Sequence, residues 1–257
     1  TFATDNSVFD RVSAQADNGV QVQVQVSATS SILHLDGDSE TSSTADANNK
    51  VTIADTKTLS SSSLLTLAAK EGSIVASGAM TLLARNGITI HDTFTGAGST
   101  GKPIVMNSDS DSNGSIAQQH GVLTMQAGKT LTSGGNTVLI TAHDVDIDGS
   151  ITTAAAAMTI HGAVAHGSVA SQTIGLGAAP VTDGTTQTKL ELDGDELQRI
   201  TTSGGLTLGS DRSGSLYVKG VTAANSADTA TMTLDATKNT QKVVFITSDS
   251  TFTNGII

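Results

Sequence analysis

Cysteine and tryptophan are absent from this chain of 257 residues, and it has only two prolines and one tyrosine. Without cysteine no disulfide stabilises the fold; this suits a bacterial exported protein better than a typical eukaryotic secreted one, and suits a cytosolic protein too. Aromatics make up 2% of the residues, which excludes a compact core built on large rings. Charged residues are also scarce, at 14% against ~25% in an average domain. The 13 basic and 24 acidic side chains give a net charge of −11. Nucleic-acid binding depends on Lys and Arg neutralising phosphates, so this balance argues against it, and equally against docking on anionic lipid. It suits a soluble surface that repels its own copies and attracts divalent cations. No apolar run approaches the ~18 residues of a membrane span, so no membrane insertion is expected. No initial Met and no signal peptide are visible, as expected of an excised or processed segment.

What is present is alternation. Val20-Gln21-Val22-Gln23-Val24-Gln25-Val26 is strictly period two, after the turn signal Asp17-Asn18-Gly19. Short apolar strands recur at Ile32 to Leu35, Val51 to Ile53, Ile88 to Ile90, Val145 to Ile147, Leu206 to Leu208 and Leu216 to Val218. Nearly all of them abut Gly, Asn or Asp. No stretch of ten or more residues carries a convincing apolar 3.6-residue period.

Repetition sits on top of the alternation. The phrase apolar-x-apolar-x-Ala occurs at Leu65 and, fifteen residues on, at Met80; the phrases at Leu123 and Val138 are again fifteen apart, and Met232 starts a fifth. Leu33-x-Leu35-Asp36-Gly37-Asp38 returns as Leu190-x-Leu192-Asp193-Gly194-Asp195. Short strands with tight polar corners, recurring every ~15–25 residues, are what a parallel β-solenoid needs, because a single rung cannot bury its own apolar face. The expected fold is therefore all-β: a parallel β-helix rod of about a dozen rungs, at ~20 residues per rung. Its narrow interior accounts for the missing rings. The residues expected to stack inside are Val20, Val22, Val24, Leu65, Leu67, Met80, Leu82, Val138, Ile140, Met232 and Leu234. Loops near 96–112 and 166–188 are expected to protrude.

A longer echo links the two ends. Phe2 to Phe9 (FATDNSVF) and Phe245 to Phe252 (FITSDSTF) share both Phe, one Thr and one Ser, at an offset of 243 residues. Four of only five Phe lie in these octets. The expectation is one continuous solenoid over residues 1–257, made of one ~243-residue repeat unit and the start of the next. The rhythm of Leu65 to Ile90 and the phrase from Leu197 to Ser210 resemble giant repetitive exoproteins of the filamentous-haemagglutinin type. Similar arrays are plausible in protist flagellar hairs. That resemblance implies an extracellular β-solenoid acting as fibre or adhesin. The Asn-Pro-Asn-containing secretion domain of the bacterial members has no counterpart here, so no secretion route is implied.

Candidate chemistry is sparse. Asp109-Ser110-Asp111-Ser112-Asn113-Gly114-Ser115-Ile116 matches the first eight positions of a calcium loop, which makes Asp109, Asp111 and Asn113 candidate Ca²⁺ ligands. Position twelve is His120 instead of Glu. Asn113-Gly114-Ser115 is also a glycosylation sequon in a glycosylating host. Asp144, Asp146 and Asp148 place three carboxylates on one strand face. That is a cation-bridging row, a hydrolase pair or simply a solvated face. The six His show no metal spacing. Sugar-cleaving β-helix enzymes need paired acids, cationic groups and aromatic platforms, most of which this composition lacks, so catalysis is not expected. The function expected is structural: a segment of an extracellular filament or long surface fibre, with neighbouring copies as partners, head to tail or in covalent tandem. An adhesin stalk that binds glycans or cells through its loops is the alternative, and a polysaccharide-degrading enzyme a minor one.

Overall fold

The computed structural model describes residues 1–40, 48–111, 121–163, 172–182 and 188–257. The first coil is β1 (Ser7–Phe9), β2 (Val12–Gln15) and β3 (Val20–Val22). Five more coils repeat that order: β4 (Val26–Ala28), β5 (Leu33–Asp36) and β6 (Lys50–Ile53); β7 (Lys57–Ser61), β8 (Leu65–Ala68) and β9 (Ser73–Ala76); β10 (Met80–Ala84), β11 (Ile88–Ile90) and β12 (Phe94–Thr95); β13 (Ile104–Asn107), β14 (Val122–Met125) and β15 (Thr130–Thr132); β16 (Val138–Ala142), β17 (Asp144–Ile147) and β18 (Ser150–Ala154). Then come β19 (Met158–Gly162), β20 (Ile174–Gly177), β21 (Leu190–Asp193), the short helix α1 (Gly194–Gln198), β22 (Ile200–Thr202), β23 (Leu206–Gly209), β24 (Leu216–Lys219), β25 (Met232–Asp235) and β26 (Val243–Phe245).

Nearly every strand pairs in parallel with its counterpart one coil away, so the chain is a parallel β-solenoid with three faces. Nine strands stack on the first face, from β1 to β25. The third face carries seven, from β3 to β22, and the second is split into sheets of six and four. Most inward positions keep apolar over apolar. Val26, Leu59, Leu82, Met106, Ile140, Ile160, Leu208 and Leu234 form one inward column on the first face. Val12, Leu33, Leu65, Ile88, Leu123 and Val145 form another on the second. On the third, Phe94 replaces an aliphatic residue between Ile74 and Leu131 and is fully buried. Burial of these columns against the coils above and below stabilises the rod, since no coil encloses a core alone.

Coils are longer than the sequence suggests. From Ser7 to Val26 is 19 residues, but from Val26 to Leu59 is 33 and from Ile160 to Leu208 is 48. Among the described residues the longest unbroken sheet therefore has nine levels, plus a bridge from Met232 to Ile256 that begins a tenth, and not about a dozen. At ~4.8 Å between strands the stack is about 45 Å tall.

Two sequence patterns resolve differently from their first appearance. The run from Val20 to Val26 is two strands on two faces, β3 and β4, with a corner at Gln23 to Gln25. In–out alternation persists around that corner, with every Val buried and Gln21, Gln23 and Gln25 exposed. The fifteen-residue phrase joins β8 on the second face to β10 on the first, so it spans two-thirds of a coil. Gly19, just before this run, has φ +91°, and a Cβ there would stand 2.3 Å from the carbonyl oxygen of Asn48 in the next coil.

Candidate functional site

Of the residues expected to stack, Val20, Val22, Val24, Leu65, Leu67, Met80, Leu82, Val138, Ile140 and Met232 are buried, and Leu234 packs half-buried against them. The segment 96–112 is only in part a loop. Gly98 to Gly101 are exposed, but Ile104–Asn107 is strand β13 within the longest sheet. Of 166–188, the described part includes strand β20, all four residues of which are buried. Irregular composition hid both strands.

Asp109 and Asp111 lie just after β13, whereas Asn113, as calcium ligand or as glycosylation site, lies outside the described residues. Burial, then the charge and hydrogen bonding of Asp111, push the Asp109 carboxyl up to about 6. Among the described residues no group of three or more His, Cys, Asp or Glu is arranged to hold a metal ion.

A cluster of charged side chains sits where the second face breaks. Strand β20 is out of turn: it lies between β21 and β24, so the order there is β21-β20-β24-β26. The second face thus holds one strand more than the winding supplies places for. Its six-stranded sheet ends at β17, and β21 lies beside β17 without forming a ladder. A broken ladder leaves backbone donors to be satisfied by other means. Carboxylates do this here. Asp144 Oδ1 accepts the N–H of Glu191 at 2.9 Å and that of Val145 at 3.0 Å. Glu196 Oε1 accepts the N–H of Ile147 at 3.0 Å, while its Oε2 accepts that of Asp193 at 2.9 Å. Asp193 Oδ1 in turn accepts the N–H of Glu196 at 2.8 Å, completing a capping box on α1. Glu191 Oε1 accepts the N–H of Val181 at 2.8 Å. Arg199 donates to the carbonyl of Ile147 at 2.8 Å and lies 3.8 Å from Asp148.

Burial dominates the electrostatics of this seam. It pushes Glu196 up to about 7 and Asp144 up to about 6, against the lowering effect of the N–H groups they accept. Asp146 is raised by burial and by Asp148, and is lowered by Arg199. Of the expected aspartate row, only Asp144 is drawn into the seam; Asp146 and Asp148 stay exposed. Glu191 and Glu196 were not singled out from sequence. The signal was there, in the Asp-x-x-Glu spacing of a capping box at Asp193 and Glu196. These oxygens are occupied by backbone donors that hold strands together, so the seam is a structural clamp.

The remaining unusual surface is at the ends. Val8, Phe9, Val243, Phe245, Ile256 and Ile257 are exposed, and Leu64 is the one large exposed apolar side chain among the described residues that lies elsewhere. Val243 and Phe245 are in register with the buried Leu216 and Val218, so they face inward on the last described coil. Comparison of the chain with protein-family models, with curated proteins and with solved structures finds no match.

Proposed function

We propose that this chain is an architectural segment of an extracellular filament or long surface fibre, with neighbouring copies of itself as partners. The observation that carries this is where its apolar surface lies. Among the described residues all but one of the large exposed apolar side chains sit on the first and last coils, and Phe9, Val243, Phe245 and Ile256 are in register with inward positions of the adjacent coil. A solenoid coil without a polar cap is an edge suited to continuation. Elsewhere the outward positions are mainly small and polar, as in the Ser27–Ser60 contact at 2.8 Å and the Thr130–Ser150 contact at 3.0 Å. Those contacts join neighbouring coils. An extracellular setting follows from the resemblance to haemagglutinin-type exoproteins, and catalysis has no part in the role.

Electron microscopy of the native material tests this. Filaments with an axial rise of about 43–48 Å per chain, some nine to ten coil heights, are the expected result. Discrete particles one chain long would overturn it. An adhesive role would reside in the exposed Gly98 to Gly101 loop; deleting that loop would then abolish binding to glycans or cells while leaving the filaments intact.

A further inference from the structure

We infer that the octet Phe2 to Phe9 of one copy docks on the octet Phe245 to Phe252 of a second copy, joining them head to tail with a turn of one face, about 120°. This rests on the filament role and names its junction. The octets share more than letters. Thr4 (φ 88°) and Thr247 (φ 55°), the third residue of each, are both left-handed, and only three other non-glycine residues among those described are. β-Branched residues rarely adopt this conformation, so a shared one marks a shared corner.

Both octets run from one face to the next. The first leaves the third face, where Phe2 bridges Val22 of β3, and ends in β1 on the first face. The last leaves β26 on the second face and reaches the third, where Thr251 N–H bonds the carbonyl of Val221 and Asn254 bonds that of Thr229. The octets are thus the same turn, offset by one face.

The winding order explains that offset. The last contact along the chain, Ile256 with Met232, lies on the first face. The next position in the winding is on the second face, over β26. A copy that enters there with Phe2 places Phe9 over Phe252 and β2 over Ile256, and no strand is missing. Entering without the turn would put Phe2 over Phe252 and leave a one-strand gap on the second face. With the turn, Phe meets Phe twice, Thr4 meets Thr247 and Ser7 meets Ser250, the like-over-like stacking found inside the rod. Asn6 meets Asp249 as donor to acceptor, and no like charges are opposed. The exposed Phe9 and Phe245 would both be covered. The contact is heterologous and does not close on itself, so it propagates into a filament.

Sedimentation velocity on the 257-residue chain tests the junction. The wild type should form oligomers that lengthen with concentration. Phe9→Asp and Phe245→Asp should each be monomeric alone, with the melting temperature and circular dichroism of the wild type showing that each is folded. An equimolar mixture of the two retains one intact junction and should stop at dimers. A monomeric mixture, self-association of either variant alone, or a wild type that stays monomeric would overturn the proposal. Native filaments from a chain that does not itself associate would mean covalently joined units, so the junction would fail while the filament role stood.

Discussion

The carboxylate of Glu196 lies 3.0 Å from the backbone nitrogen of Ile147, a residue 49 positions earlier in the chain. That contact crosses the break in the second face, where β21 lies beside β17 without forming a ladder. Burial pushes Glu196 up to about 7 and Asp144 up to about 6, so the stability of the rod is expected to depend on the protonation of these acids.

Glu196 faces Asp193 and Asp144, with Glu191, Asp146 and the Arg199–Asp148 pair around them. Its carboxyl titrates near 7 in the folded protein and at about 4.3 in the unfolded chain. The folded state therefore holds the proton more tightly, and the proton stabilises it. That contribution is complete below about pH 4.3 and is lost as pH rises through about 7. Urea titrations should show the chain less stable at pH 8 than at pH 5, by on the order of 2 kcal/mol. Glu196→Gln should flatten this dependence while lowering stability at pH 5, because the amide nitrogen cannot accept a backbone N–H. A wild type equally stable at both pH values would refute the upward shift of Glu196 by burial.

Leu82 is fully buried between Leu59 and Met106. Truncation to Ala should cost about 2–5 kcal/mol through lost burial and the cavity left between coils. Thr81, its outward neighbour, is half-buried, and its change to Ala should cost less than about 0.5 kcal/mol. Chemical denaturation of both variants measures the contrast, and equal costs would contradict the assignment of faces.

Gly19 has no room for a side chain, since a Cβ would meet Asn48 in the next coil and φ is +91°. Gly19→Ala should destabilise the first two coils, with faster amide exchange in β3 and β6 and little change in β16 or β19. Uniform protection along the chain would count against it.

Lys129 bonds Asp92, whose other oxygen accepts the N–H of Ala69 at 2.8 Å, so three successive coils meet at one buried carboxylate. Lys129→Met leaves that charge without its cation and should cost about 1–3 kcal/mol. Thermal melts in low and high salt provide the measurement. A partly buried pair resists screening, so the loss should persist in 0.5 M salt.

The class of fold was legible because its cause is local. Every Val from Val20 to Val26 must point one way and every Gln the other, whatever the rest of the chain does, and a composition almost without rings excludes the alternatives. Strict alternation, tight polar corners and repetition together determined a parallel solenoid. Which strands neighbour one another was decided only in three dimensions. The Val run turns a corner midway, the phrase at Leu65 and Met80 spans two faces, and β20 enters out of turn between β21 and β24. These outcomes depend on how many residues each corner takes up, a quantity that no strand's own pattern records. The carboxylate seam belongs to the same class. Asp144, Glu191 and Glu196 come together only because an extra strand breaks a ladder and leaves backbone donors for them to satisfy.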